Sequence, residues 1–282
     1  MIHTSRQLKA LVRNRSNGDS TKAQIIIRNY VMERFLERLS LSIYREKLIL
    51  KGGLLVSAIV GIENRSTMDI DATVINFPLS LNDAKKIVEE VITVRIDDGM
   101  SFEILSVDSI MDDSDYSGIR VILNTMLETM QTPLKIDFST GDVITPRDME
   151  FSFKLLFEER TISLQAYNLE TVLAEKLETL LSRGIVNTRM RDFYDIYCIE
   201  GTQMDRIDTD VLNKAFHSTS KNRGSFQAIN DVHLVFGEIE NSPEIKALWK
   251  NYQRKFDFAA NVNWDQVVES TYRLLRIIKK LR

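Results

Sequence analysis

One segment, residues 51–74, constrains this chain more than any other part of it: KGGLLVSAIVGIENRSTMDIDATV. It predicts a tight turn at Gly52 and Gly53, an apolar helical segment over 54–62, a polar loop and a short strand. A glycine pair that opens a helix presents free backbone N–H groups and the positive end of the helix dipole, which suits a phosphate chain. The segment therefore predicts a phosphate-binding turn that leads into a strand.

That strand carries two aspartates. Asp69 and Asp71 lie on either side of Ile70, and because alternate residues of a strand point to the same face, their carboxylates project together. Like charges held side by side repel each other unless a cation or hydrogen-bond donors offset the cost. Mg²⁺ and Mn²⁺ prefer oxygen ligands, so Asp69 and Asp71 are candidate metal ligands. The competing interpretation is a solvated strand end, because Asp-x-Asp is a common pattern.

The order of these features resembles that of a known family. KGG at 51–53, then Arg65, Ser66 and Thr67, then DID at 69–71 resemble the first motif of the AbiEii/AbiGii toxin family of nucleotidyltransferases, within the DNA polymerase beta superfamily. The resemblance implies that this segment binds the nucleotide. The residues to which it assigns nucleotide binding are Gly52, Gly53, Ser66 and Thr67.

A second motif, KIDFSTGD at 135–142, resembles the family's K-x-D element. Lys135 and Asp137 share a strand face, and a cross-strand salt bridge at a sheet edge is the competing interpretation. The resemblance implies that Asp137 completes a three-carboxylate catalytic metal site with Asp69 and Asp71, and that Lys135 binds the nucleotide. For this, Asp137 must lie beside the strand that carries the DID sequence.

A third patch, YNLETVLAEKLETLLSR at 167–183, predicts a helix that Asn168 caps. Lys176 lies at the edge of its broad apolar face, where a snorkelling lysine is the plain interpretation. The resemblance to the family's third motif implies instead that Lys176 contacts the triphosphate as a point positive charge and belongs to the catalytic residues.

A fourth patch, TRMRDFYDIY at 188–197, carries Arg189, Asp192 and Asp195 at intervals of three, so they run along one side of a helix. Intrahelical pairing of Arg191 with Asp195 explains the spacing nearly as well. The resemblance to the family's fourth motif implies that Asp192 is a catalytic residue and that Asp195 and Arg189 lie at the nucleotide.

The resemblance covers residues 50–197, about half of the chain, in four patches in the family's order. It has one departure: a small hydroxyl residue often follows the glycine pair, whereas this chain has Leu54. The substitution removes one potential phosphate or metal ligand, while Ser66 and Thr67 remain nearby.

The composition is that of a globular protein, with 27% charged and 44% hydrophobic residues, and 282 residues suffice for two modest cores. The order of elements predicts an α+β fold: a nucleotidyltransferase-like mixed sheet flanked by helices, followed by an α-helical C-terminal domain. We expect a nucleotidyltransferase domain with N-terminal helices over 1–167 and a helical domain over 168–282 that completes the active-site cleft.

The hydrophobic periodicity places the individual elements. The acidic stretch MDDSDYSG at 111–118 predicts a turn. Residues 48–50 form a short apolar lead into the glycine turn. Strands are predicted over 69–71, 101–107, 119–127, 133–139, 151–157 and 161–166. Helices are predicted over 4–14, 20–40, 80–91, 169–183, 189–199, 208–219, 225–238, 243–256 and 264–281.

Several functional classes are disfavoured. The single Cys198 cannot form an intramolecular disulfide, and the three histidines lie far apart without metal-ligand spacing, so zinc is not expected. A net charge of −3 argues against general nucleic-acid binding over the whole surface. No window reaches a membrane-spanning length, and the N-terminus lacks the apolar core of a signal peptide, so we expect a cytoplasmic protein without membrane contact.

The resemblance implies a Mg²⁺-dependent or Mn²⁺-dependent nucleotidyltransferase that moves an NMP from an NTP to an acceptor. It further implies the toxin of a toxin–antitoxin or phage-abortive-infection system, with a cognate antitoxin as partner and RNA, tRNA included, as acceptor. Two alternatives stay open. One is a nucleotidyltransferase that acts on a small molecule or a protein, and the other is an NTP-binding regulatory protein without turnover.

Overall fold

The computed structural model describes residues 1–77, 79–111, 117–226 and 232–278. The chain divides into two compact units, each built from several segments. The first unit comprises Met1–Ala58, Ser66–Gly141 and Met149–Ala166. The second unit comprises Ile59–Arg65, Asp142–Asp148 and Tyr167–Arg282. Among the described residues, no helix is long and apolar enough to cross a membrane.

The first unit is built on a mixed sheet. Its strands are β1 (Leu48–Lys51), β2 (Asp69–Val74), β3 (Met100–Met111), β4 (Ser117–Leu127), β5 (Met130–Ser139), β6 (Met149–Lys154) and β7 (Thr161–Ala166). The order across the sheet in the described part of the chain is β3-β4-β5-β2-β1-β7-β6. The β2–β5 and β1–β7 pairs are parallel and the other pairs are antiparallel. The predicted mixed sheet is confirmed.

Helices α1 (Ser5–Ser16), α2 (Ser20–Ser40) and α4 (Leu81–Ile92) belong to this unit, and α3 (Gly52–Val60) begins in it. The helix α3 differs from its prediction, because it starts at the glycine pair and ends two residues early. Gly61, at φ +96°, ends it by entering the left-handed region that glycine adopts without a steric penalty. The predicted strand over 151–157 also ends early, at Lys154.

The helix α2 buries charged side chains as well as apolar ones. Arg38 and Asp98 form a buried pair with bonds of 2.7 and 2.9 Å. Arg34 lies 2.9 Å from Glu37, and Glu33 on the same helix is 4% exposed. Buried charges are tolerated only when they are paired or neutralised, so these side chains constrain how the first unit packs.

From Tyr167 onward the described residues of the second unit are mainly helical, which confirms the predicted helical C-terminal part. Its long helices are α5 (Leu169–Arg183), α6 (Met190–Gln203), α7 (Thr209–Asn222), α8 (Val232–Asn241), α9 (Pro243–Lys255) and α10 (Trp264–Leu275). Asn168 caps α5, as predicted, by accepting a 2.8 Å bond from the Thr171 N–H. Three predictions fall partly outside the described residues: the turn over 111–118, the start of the helix over 225–238 and the end of the helix over 264–281.

Candidate active site

The glycine pair at the end of β1 is packed against Asp71. Gly52 has φ +63°, and a Cβ added to it would lie 2.6 Å from Cγ and 2.7 Å from Cβ of Asp71. Any side chain at position 52 would therefore overlap the aspartate. The Gly53 N–H donates a 3.2 Å hydrogen bond to Asp71 Oδ2. In this structure the glycine pair holds a carboxylate in place.

Three predicted carboxylates lie on neighbouring strands of the first unit. The parallel β2–β5 register sets Asp71 beside Asp137 and Asp69 beside Lys135. The Lys135 Nζ atom lies 4.0 Å from Asp69 Oδ1. We refer to Asp69, Asp71 and Asp137 as the carboxylate row. The sheet thus brings together, from distant parts of the sequence, the side chains of the first two motifs.

Arg120 is a member of this site that the sequence analysis missed. The antiparallel β4–β5 register sets Arg120 opposite Asp137. Its Nε donates to Asp137 Oδ1 at 2.8 Å, and its second terminal nitrogen donates to Oδ2 at 2.7 Å. This is a bidentate, charge-assisted pair, which is the strongest common form of such an interaction. Both oxygens of Asp137 therefore face a guanidinium group.

The negative charge of the carboxylate row is only partly offset. Burial, together with the nearby charge of Asp137, raises the pKa of Asp71 to about 6, although Lys51 and the Gly53 N–H act in the opposite direction. Asp69 Oδ1 is buried, and within the described part of the chain it has no hydrogen-bond partner. A buried acceptor without a donor is costly, so a cation at this oxygen would be stabilising.

The donor set fits a hard divalent cation in its chemistry. All three side chains of the carboxylate row offer carboxylate oxygens, and Asp69 Oδ1 is without a donor. As they stand, however, the described residues include no group of three or more His, Cys, Asp or Glu side chains that could hold a metal ion. Asp137, the third carboxylate, has both of its oxygens bonded to Arg120.

The remaining first-motif residues lie close to the start of β2 or inside α3. Ser66 is half-buried and Thr67 is buried, in the segment that leads into β2. Leu54, which departs from the family pattern, is 1% exposed. Its side chain belongs to the core of the fold, so the position serves packing.

A second cluster of predicted residues lies in the second unit. The Lys176 Nζ atom on α5 donates to Asp192 Oδ1 at 2.8 Å and lies 2.7 Å from Asp195 Oδ2, both on α6. Lys176 is 9% exposed and Asp195 is fully buried. Lys176 is therefore a buried, paired cation and does not snorkel to the solvent.

Two arginines complete this cluster. Arg65 Nε donates to Asp195 Oδ1 at 2.6 Å, and Arg189 Nε lies 3.0 Å from Asp192 Oδ2. Burial opposes ionisation of the two aspartates, but Lys176 and the arginines outweigh it and hold the pKa values of Asp192 and Asp195 below their ordinary range. Arg65, which the first motif contains, was not predicted to pair with Asp195, because the two are 130 residues apart.

Comparison with known proteins shows the family of this chain. The profile of the family described as nucleotidyl transferase AbiEii toxin, type IV toxin–antitoxin system, matches residues 34–270. No curated protein sequence matches the chain.

Among solved structures, a candidate nucleotidyltransferase of H. pylori is similar at 14% identity, with a TM-score of 0.50 over 90% of this chain and 95% of that chain. The protein JHP933 of Helicobacter pylori is similar at 14% identity, with a TM-score of 0.49 over 90% of this chain and 92% of that chain. At this identity the first similarity bears on the fold alone, and it agrees with a nucleotidyltransferase-like sheet.

The family match covers more than half of the chain and includes all four motif patches. Fold, motif order and profile match point to the same class of transferase. The chain belongs to the AbiEii family of nucleotidyltransferase toxins of type IV toxin–antitoxin systems.

Proposed function

We propose that this toxin transfers an NMP from an NTP to a hydroxyl group of an RNA, with tRNA among the candidate acceptors, in a reaction that depends on Mg²⁺ or Mn²⁺. The observation that carries the proposal is the carboxylate row on β2 and β5, in which Asp69 Oδ1 is buried without a described donor. The RNA acceptor and a cognate antitoxin partner rest on membership of the family.

In this proposal Asp69 and Asp71 would hold the divalent cation, and Gly52 and Gly53 keep Asp71 in its orientation through the close contact and the Gly53 hydrogen bond. A bound cation of this type supplies neutralisation of triphosphate charge and polarisation of the phosphoryl oxygens. The raised pKa of Asp71 is consistent with this role, because a cation would relieve the charge repulsion that contributes to it.

Asp137 is assigned to the acceptor and, as the third carboxylate, to a share in holding the cation. Its carboxylate takes the proton of the acceptor hydroxyl, and the hydroxyl oxygen forms a bond to the α-phosphorus. The bond between the α-phosphorus and the oxygen that bridges to the β-phosphorus breaks, and pyrophosphate leaves with the electron pair. The products are an RNA that carries one additional NMP and free pyrophosphate.

The nucleotide-binding role that the family resemblance implies falls on a cation of the first unit and, separately, on cations of the second. In the first unit Lys135 lies beside Asp69, half-exposed. In the second unit Lys176, oriented by Asp192 and Asp195, neutralises triphosphate charge, and Arg189 is its more exposed neighbour. A buried lysine that two carboxylates orient is a rigid point charge, which suits recognition of an anion of fixed geometry.

The test is incubation of the pure protein with total cellular RNA, Mg²⁺ and each radiolabelled NTP in turn, followed by gel separation. Asp69→Asn and Asp71→Asn preserve side-chain size and remove one negative charge each. Asp108→Asn is the matched control, because Asp108 is an exposed aspartate on β3 of the same sheet. We expect wild type and Asp108→Asn to label RNA with a defined NTP, and we expect both site variants to lose the labelled band.

Other outcomes separate the alternatives. A label that appears on a small molecule or on protein would replace the RNA acceptor and keep the reaction. Retention of full labelling by an Asp69→Asn, Asp71→Asn double variant would refute the assignment of the carboxylate row. Binding of NTP without any labelled product would indicate a regulatory protein.

A further inference from the structure

The pair between Arg120 and Asp137 occupies a carboxylate that the proposed function assigns to the reaction. Asp137 is the third carboxylate of the row, yet both of its oxygens accept hydrogen bonds from one guanidinium, at 2.8 and 2.7 Å. The other two members of the row lack such a partner. Asp71 accepts from a backbone N–H, and Asp69 Oδ1 lies 4.0 Å from Lys135.

We propose that Arg120 is the resident counterion of the carboxylate row, which a divalent cation must displace from Asp137 before the third carboxylate serves the reaction. The proposal rests on the proposed metal-dependent function and deepens it. It names a residue outside the four motifs that controls the affinity of the site for its cation.

Electrostatics gives the first reason. A guanidinium that neutralises Asp137 also repels a second cation placed at the same carboxylate, so the two positive charges compete. The contact occupies both oxygens in a planar fork, which leaves the carboxylate no open edge toward the guanidinium side. Among the described residues no group of three or more His, Cys, Asp or Glu side chains is arranged to hold a metal ion while Arg120 bonds Asp137.

Exposure gives the second reason. The side chain of Arg120 is 35% exposed and that of Asp137 is 19% exposed. Because water reaches both side chains, the guanidinium regains hydration when it leaves Asp137, which lowers the cost of breaking this bidentate pair. In contrast, Arg38 and Asp98, at 3% and 0% exposed, form a pair that water does not reach and that is costly to break.

A positioning role makes the opposite prediction. If Arg120 merely holds Asp137 in the orientation that a cation needs, its removal leaves the carboxylate free to turn, and cation binding weakens. If Arg120 competes with the cation, its removal strengthens cation binding. The sign of the change in affinity therefore distinguishes the two roles.

The experiment is titration of the full chain with Mn²⁺ in the absence of nucleotide. Binding is measured as the decrease of the electron paramagnetic resonance signal of free Mn²⁺. Arg120→Gln removes the guanidinium, and Arg120→Lys keeps the charge but not the fork. Lys135→Gln is the matched control, because it removes one positive charge beside Asp69 and leaves the Arg120–Asp137 pair intact.

We expect Arg120→Gln to bind Mn²⁺ about twofold to fivefold more tightly than wild type, which is the range that loss of one partly exposed ion pair gives. Arg120→Lys should show a smaller gain, and Lys135→Gln should gain less than Arg120→Gln. In an Asp137→Asn background, Arg120→Gln should lose its effect, because the carboxylate for which the two cations compete is absent.

Unchanged or weaker Mn²⁺ binding by Arg120→Gln overturns the proposal while the proposed function stands. An equal gain in Lys135→Gln also overturns it, since net charge alone would then explain the effect. Failure of both wild type and Arg120→Gln to bind Mn²⁺ overturns it as well, and the RNA-labelling test then decides the proposed function separately.

Discussion

The contact between Gly52 and Asp71 yields a quantitative prediction. Replacement of Gly52 by alanine adds one methyl group at a point where Asp71 already fills the space, with its Cβ 2.7 Å from the new atom. Gly18 is the matched control. It also has a positive φ, +83° against +63° for Gly52, but nothing lies within 4 Å of a Cβ added there.

The magnitude follows from two contributions. A non-glycine residue in the left-handed region costs about 1–2 kcal/mol, and this cost is common to both variants. At position 52 the overlap involves Cβ of Asp71, which the paired backbones of β1 and β2 hold in register opposite Lys51. Its relief requires a strand shift at about 1–3 kcal/mol and breaks the Gly53 hydrogen bond at about 1 kcal/mol. Gly52→Ala should therefore lose about 2–4 kcal/mol more than Gly18→Ala.

Urea unfolding followed by far-UV circular dichroism measures this difference. Fluorescence is less suitable, because both tryptophans, Trp249 and Trp264, lie in the second unit and Gly52 lies in the first. We expect a lower midpoint for Gly52→Ala than for Gly18→Ala, together with loss of RNA labelling. Equal midpoints with labelling retained in both variants would refute the view that the glycine pair exists to hold Asp71.

Three further predictions concern buried charges. Burial raises the pKa of Glu33 from 4.5 to about 8, so the folded state favours its protonated form and stability falls as pH rises between these values. Glu33→Gln should flatten this dependence and, above pH 8, raise the free energy of unfolding in urea titrations by on the order of 5 kcal/mol. Asp195→Asn removes a buried charged partner from both Arg65 and Lys176. The free energy of unfolding, followed by tryptophan fluorescence, should fall by about 3–5 kcal/mol. Asp98→Asn removes the charged partner of the buried Arg38 on α2. The free energy of unfolding, followed by far-UV circular dichroism in urea, should fall by a similar amount. A midpoint equal to that of wild type in either variant would contradict the assigned pairing.

The carboxylate row shows what a sequence can reveal about this site. Alternation along a strand predicts that Asp69 and Asp71 share a face, and motif resemblance points to Asp137 as the third member. Both inferences need only local pattern or motif order. The structure adds the β2–β5 register, which depends on how strands distant in sequence pair with each other.

Arg120 shows what the sequence leaves open. Its partner is set by the β4–β5 hairpin, in which Leu127 pairs with Met130 across a two-residue loop. Asn-Gly or Asp-Gly is the usual sequence signal of such a loop. Here Glu128 adopts φ +53° instead, and the loop contains no glycine. Without that signal the sequence does not predict the β4–β5 register, so it does not predict that Arg120 lies opposite Asp137.

Helix α2 shows a second kind of limit. Periodicity predicts the helix from its apolar residues, and a solvated face for its charges is the usual expectation. In the structure Arg34 and Arg38 are 0% and 3% exposed, because Glu158 and Asp98 reach them from other parts of the first unit. Long-range pairing overrides the pattern, and no local rule predicts it.

Stability and cation binding are linked at the carboxylate row. Without a cation, Arg120 offsets the charge of Asp137, which otherwise adds to the repulsion at Asp71. Arg120→Gln should therefore unfold at a lower urea concentration than wild type in the presence of a chelator. A ligand that binds only the folded state stabilises it by an amount that grows with its affinity. Added Mn²⁺ should thus raise the unfolding midpoint of Arg120→Gln more than that of wild type, and an equal rise in both would mean that the arginine and the cation do not compete.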